Sequence, residues 1–133
     1  MFENDSKKLI DDILNQAKHF LNEADEFYPF GAVIEKKGNL RSVGVNMDEE
    51  FPDVQVVFAE LEKGLEEGLS QDLYRHAAIG FDVFINVKKG TNSQEKVTAI
   101  EIRLFTNTCL TRKHFIYEKQ ASGYAFTEYF LDD

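Results

Sequence analysis

Cysteine occurs once in the 133 residues, at Cys109, and tryptophan not at all. A single thiol excludes an intrachain disulfide, and with only three histidines the paired Cys or His spacings of zinc sites are missing too. No apolar run approaches the roughly 18 residues that a membrane span requires. The start, Met1-Phe2-Glu3-Asn4-Asp5-Ser6, is acidic and lacks the apolar stretch of a signal peptide. Basic residues are scarce: 15 Lys and Arg stand against 24 Asp and Glu, a formal net charge of -9. Such a chain repels nucleic acid at long range. The expectation is a soluble, cytoplasmic protein, without membrane or nucleic-acid partners and with no metal or cofactor.

What is present is ordinary globular material, 43% hydrophobic and 29% charged. The length allows one domain, residues 1–133, with a core large enough to fold without cross-links. Acid is concentrated from Asp48 to Glu67, where eight carboxylates face Lys63 alone, a local balance of -7.

Leu9, Ile10, Ile13, Leu14, Ala17, Phe20 and Leu21 recur at helical spacing, with Asn4, Asp5 or Ser6 available as a cap. That helix is expected to end between Asn22 and Asp25, before Tyr28-Pro29. Two apolar runs, 30–35 and 40–45, flank Lys36-Lys37-Gly38-Asn39 and predict a hairpin. A second helix runs from Pro52 to near Ser70 on Val54, Val57, Phe58, Leu61, Leu65 and Leu69. Gly64 and Gly68 weaken it by about 1 kcal/mol each relative to Ala, which suggests close packing on a sheet.

Strict alternation from Tyr74 to Lys88 predicts a long strand with Ala77, Ile79, Phe81, Val83, Ile85 and Val87 inward. The return strand, to Thr106, places Ile100, Ile102 and Leu104 inward and Ala99, Glu101, Arg103 and Phe105 outward. A further strand spans His114 to Lys119. The segment from Tyr124 to Leu131 fits strand alternation slightly better than one turn of helix. The order α-β-β-α-β-β-β(-β) describes an α+β two-layer sandwich: a largely antiparallel sheet with two helices on one face. Ile79, Phe81, Val83, Ile100, Ile102 and Leu104 would then meet both helices through Ile13, Phe20, Phe58 and Leu61.

Local catalytic motifs are absent: no glycine-flanked serine elbow, phosphate-binding glycine loop, dinucleotide fingerprint or paired-His metalloprotease helix. His19, with Gln16 and Glu23 a turn away, reads as part of a solvated face rather than half a metal site. Arg112-Lys113-His114 could hold an anion, although an exposed loop leading into a strand is the simpler reading. Cys109 reads as a small buried residue, since no cation adjoins it before Arg112.

The richest constellation is the outward face of the hairpin at 74–106, with His76, Asp82 and Asn86 on one strand and Glu101 and Arg103 on the other. Its chemistry depends on register. Pairing Lys88 with Glu95 sets Asp82 against Glu101, a like-charge pair that raises one carboxyl pKa as acid-base sites do. Pairing Lys89 with Lys96 sets Asp82 against Arg103, a plain cross-strand ion pair, and charge complementarity favours it.

The run Glu26-Phe27-Tyr28-Pro29-Phe30-Gly31-Ala32-Val33-Ile34, the glycine turn at Gly38 and Ala77-Ala78-Ile79-Gly80-Phe81-Asp82-Val83 resemble a small bacterial α+β domain family with an EFYPFG-type strand start. The resemblance covers about half the chain and implies a fold but no activity. Burial of the aromatics would anchor the strand start, with an aromatic ligand pocket as the sharper alternative.

Two functions are weighed on these residues. The first is a non-enzymatic protein-binding module, of the kind of an immunity-like inhibitor of a basic toxin or enzyme, docking through Asp53, Glu60 and Glu67. The second is a small-molecule sensor or enzyme using His76, Asp82, Glu101 and Arg103.

Overall fold

The computed structural model describes residues 2–24, 27–44, 53–89, 93–106 and 108–130. Expectations that fall on Val45, Asp48, Glu49, Glu50, Pro52, residues 90–92 or Leu131 lie outside them. Helix α1 (Phe2–Glu23) leads into strands β1 (Phe30–Glu35) and β2 (Leu40–Val43), and helix α2 (Val54–Ser70) follows. Strands β3 (Tyr74–Lys89), β4 (Ser93–Phe105), β5 (Leu110–Gln120) and β6 (Gly123–Tyr129) come last. The six strands form one antiparallel sheet in the order β2-β1-β3-β4-β5-β6. It curls around α1, which touches β1, β2, β3, β4 and β6. The fold is therefore α+β with two helices and a six-stranded antiparallel sheet.

The helices do not share a face of the sheet, which corrects the expectation of a two-layer sandwich. Leu9, Ile13 and Ala17 of α1 pack with Phe30, Ala32, Ile34, Ala78, Ile100, Ile102, Leu104 and Phe115. Leu61, Leu65 and Leu69 of α2 pack with Val33, Ala77 and Ile79, flanked by Phe58 and Phe81. Even-numbered residues of β1, β3 and β4 thus face α1, and odd-numbered residues of β1 and β3 face α2. The parity follows from register. Ala78 lies opposite Leu104, Gly80 opposite Ile102 and Asp82 opposite Ile100. Neither expected pairing occurs: Lys88 meets Gln94, and Lys96 meets Asn86.

Volume explains why this register holds. On the α1 face β3 carries Ala78 and Gly80, both buried, beside the large Ile100, Ile102 and Leu104 of β4. A Cβ added at Gly80 would stand 2.5 Å from Ile13 Cγ2, so the helix is seated against bare backbone. Ala78 and Gly80, on the face opposite the strand's expected inward residues, are the floor under α1.

Helix α1 begins at Phe2, so Asn4, Asp5 and Ser6 lie within it and none is its cap. Asp5 is instead buried and paired with Arg75. A shift in the β1–β3 register between Ile34 and Glu35 sets Ile34 against His76 and Glu35 against Tyr74. Arg75 is the extra residue, and the bulge breaks the alternation there. On α2, Asp53 is the N-cap and accepts a 2.8 Å bond from the Gln55 N–H. Gly68 takes the close packing expected of it, against the Tyr74 ring, whereas Gly64 faces open space. Gly38, at φ +98°, closes the β1–β2 turn.

Of the aromatic run before β1, Phe27 and Phe30 pack into the core while Tyr28 is 41% exposed. Phe27 and Phe20 each meet Phe30 edge to face, with centroids 5.4 and 5.2 Å apart, and Pro29 is buried. No helix among the described residues is long and apolar enough to cross a membrane.

Candidate functional site

Helix α2 lies mainly over β1 and β3, so part of the face formed by odd-numbered residues of β4 and even-numbered residues of β5 is left beside it. On that face Glu101 lies opposite His114, and Arg103 opposite Arg112. Like charges placed directly across strands are unfavourable, and here Arg103 turns along its own strand. Its Nε donates to Glu101 Oε2 at 2.7 Å, and its guanidinium lies 5.0 and 4.9 Å from the ring centres of Phe58 and Phe81. His114 Nε2 lies 2.9 Å from the other oxygen, Glu101 Oε1. Burial pushes the Glu101 carboxyl up, but the bonds from Arg103 and His114 together with their charges outweigh it and hold it below the usual range. Glu101 therefore stays ionised as an anchor, the opposite of what a general acid needs.

Beside this network runs an open groove of about 400 Å³. Glu62 and Glu66, one turn apart on α2, form one wall, and Arg103 lies in it. Phe105 and Leu110 supply apolar surface, and Cys109 stands at the lining. Cys109 is exposed, which corrects its expected burial: it lies between strands rather than within one.

The hairpin constellation is divided between the faces. Glu101 and Arg103 adjoin the groove, while His76 and Asp82 point to the α1 side. His76 is 1% exposed, beside the Asp5–Arg75 pair. Its burial lowers its pKa, a tendency that Asp5 opposes and Arg75 reinforces. Asp82 accepts a 2.7 Å bond from the Tyr117 hydroxyl. Burial drives the Tyr117 phenol far above its ordinary range, and the bond to Asp82 adds to the effect because only the protonated phenol can donate it. These four residues cannot act on one ligand. The reason is the register, which differs from both pairings considered above and places Lys88 opposite Gln94.

The basic triplet is also split, by strand alternation within β5. Arg112 and His114 share the groove side, whereas Lys113 faces the other way and bonds Glu128 at 3.3 Å. His19 is exposed and lies 3.6 Å from Glu23. Among the described residues no group of three or more His, Cys, Asp or Glu is arranged to hold a metal. Asp53, Glu60 and Glu67 are all exposed along α2, with Asp53 occupied as its cap. Sequence reasoning missed the groove, the bonding of His114 to Glu101 and the Tyr117–Asp82 bond. The spacing of Glu62 and Glu66 at i and i+4 was the one local signal for the groove wall.

Fold and site together define a two-helix, six-stranded antiparallel α+β domain with a charged groove beside its second helix. No protein family, curated protein or solved structure matches the chain.

Proposed function

We propose that the protein is a non-catalytic binding module that docks a basic protein partner along the outer face of α2. One observation carries this reading. Val57, Leu61, Leu65 and Leu69 are spent on the core, while Glu60, Glu62, Glu66 and Glu67 make no ion pair with any described residue. Carboxylates left uncompensated on a helix face attract positive charge and accelerate encounter with a basic surface. An immunity-like inhibitor of a basic toxin or enzyme, working in the cytoplasm, is the class of protein that this charge arrangement suits. The net charge of -9 argues against a nucleic-acid partner.

The test uses the full chain as bait, beside a Glu60→Gln/Glu67→Gln double variant. The basic protein recovered is then studied by stopped-flow association at two salt concentrations. The expected result is association that slows several-fold in the double variant and in high salt, because exposed charges are screened beyond a Debye length of about 8 Å at physiological ionic strength. An association rate indifferent to both changes overturns the reading.

A further inference from the structure

We infer that the groove between α2 and the adjoining ends of β4 and β5 is a slot for a C-terminal arginine or lysine of that partner, its carboxylate held by Arg103 and its side-chain cation by Glu62 and Glu66. This rests on the basic-partner reading above and names the chemical group that enters.

Arg103 is a fork prepared for a carboxylate. Glu101 takes its Nε, and the rings of Phe58 and Phe81 fix the plane of the guanidinium. No described residue accepts a hydrogen bond from Nη1 or Nη2, so two parallel donors are left over in a side chain that is only 25% exposed. Paired guanidinium donors match the two oxygens of a carboxylate, and a fork already immobilised loses little freedom on binding.

The opposite wall excludes a simple anion. Glu62 and Glu66 line the same groove, and neither comes within ion-pairing distance of Arg103. A bare phosphate or carboxylate would meet two negative charges. The groove thus sets unused guanidinium donors on Arg103 beside two carboxylates with no ion pair among the described residues, and a ligand that satisfies both brings a carboxylate and a cation. A terminal arginine or lysine does so within one residue. Its aliphatic stem would lie on Phe105 and Leu110.

Size and openness agree with a chain end. About 400 Å³ lies toward the low end of ligand-pocket volumes, about 300 to 1,000 Å³, room for one or two residues rather than a folded element. The groove is open, so the preceding residues can lead away toward the exposed acids of α2.

The experiment is an NMR titration of the 133-residue chain with Nα-acetyl-arginine, which carries a free carboxylate, a side-chain cation and a blocked amine. Amide shifts are expected around the groove, at Leu69, Thr106, Thr108, Cys109 and Leu110. On the unaltered protein, Nα-acetyl-argininamide, which lacks the carboxylate, and Nα-acetyl-citrulline, which lacks the cation, should each bind at least tenfold more weakly. Arg103→Gln and Glu62→Gln/Glu66→Gln should weaken Nα-acetyl-arginine to the same degree, whereas Glu60→Gln/Glu67→Gln should not. Absence of shifts at millimolar probe, or equal binding of the amide or the citrulline analogue, overturns the slot. Free arginine binding more tightly than the acetylated form overturns the chain end as occupant. The earlier reading fails separately: it falls if partner association ignores salt and the Glu60→Gln/Glu67→Gln change, whatever the probe does.

Discussion

Removal of the Asp5 carboxylate is the most direct test of how α1 is fastened to the sheet. Asp5 is 4% exposed and accepts two bonds from one guanidinium, from Arg75 Nε to Oδ2 and from Arg75 Nη2 to Oδ1, both 2.8 Å. Breaking a fully buried ion pair costs about 3 to 5 kcal/mol, since it strands the remaining charge. The Arg75 side chain is 32% exposed, so water recovers part of that loss. Asp5→Ala should therefore cost about 2 to 3 kcal/mol at pH 7, and Asp5→Asn, which keeps one acceptor, about 1 to 2 kcal/mol. The Arg75 bonds hold the Asp5 carboxyl below its ordinary range, against the opposing push of burial. The folded-state pKa lies beneath the unfolded one, so this stabilisation is complete above about pH 4 and is lost as pH falls through the folded value. Urea unfolding of the wild type and both variants between pH 7 and pH 2.5 measures the effect, with the exposed Asp11→Asn as a control expected within about 0.5 kcal/mol. A loss below about 1 kcal/mol for Asp5→Ala at pH 7, or a gap between wild type and Asp5→Asn that does not narrow in acid, would refute the reasoning.

The two helix glycines should respond in opposite directions. Gly68→Ala drives a methyl into the Tyr74 ring and should cost about 1 to 3 kcal/mol, while Gly64→Ala meets open space and should gain up to about 1 kcal/mol by urea unfolding. Alkaline spectrophotometric titration should find one of the five tyrosines resisting ionisation until the protein unfolds, and Tyr117→Phe should abolish that late step. Phe81 is only half-buried, its ring centroid 4.9 Å from that of Phe58 in an edge-to-face pair and its face under Arg103, so Phe81→Ala should cost about 2 to 3 kcal/mol, less than a fully buried aromatic. A loss below about 1 kcal/mol would place it outside the α2 cluster.

Most elements were legible because each is written in short-range periodicity. The α1 stripe of Leu9, Ile13, Ala17 and Leu21 is buried throughout, and the strand preferred for the Tyr124 segment is β6 over Gly123–Tyr129. Which way a strand faces is not local information. Alternation along β3 and along β4 fixes each strand's own two sides, but one residue of slip between them exchanges every contact. Charge was the wrong arbiter for that slip, because cross-strand charged pairs contribute only about 0.2 to 1 kcal/mol. Seating Ile13 on Gly80 and lining Ile100, Ile102 and Leu104 along the same helix removes several large side chains from water, at about 1.5 to 3 kcal/mol each. Burial therefore outweighs the Asp82–Arg103 attraction that had favoured the other register. The same slip decides the candidate site: it sends Asp82 to Tyr117 and leaves Arg103 to turn back on Glu101 beneath α2. A strand face made of Ala and Gly beside one made of Ile and Leu is thus better read as the two halves of one packed layer than as outside and inside. By that reading Ala78 and Gly80 were the residues from which both the position of α1 and the partners of the charged groups could have been inferred.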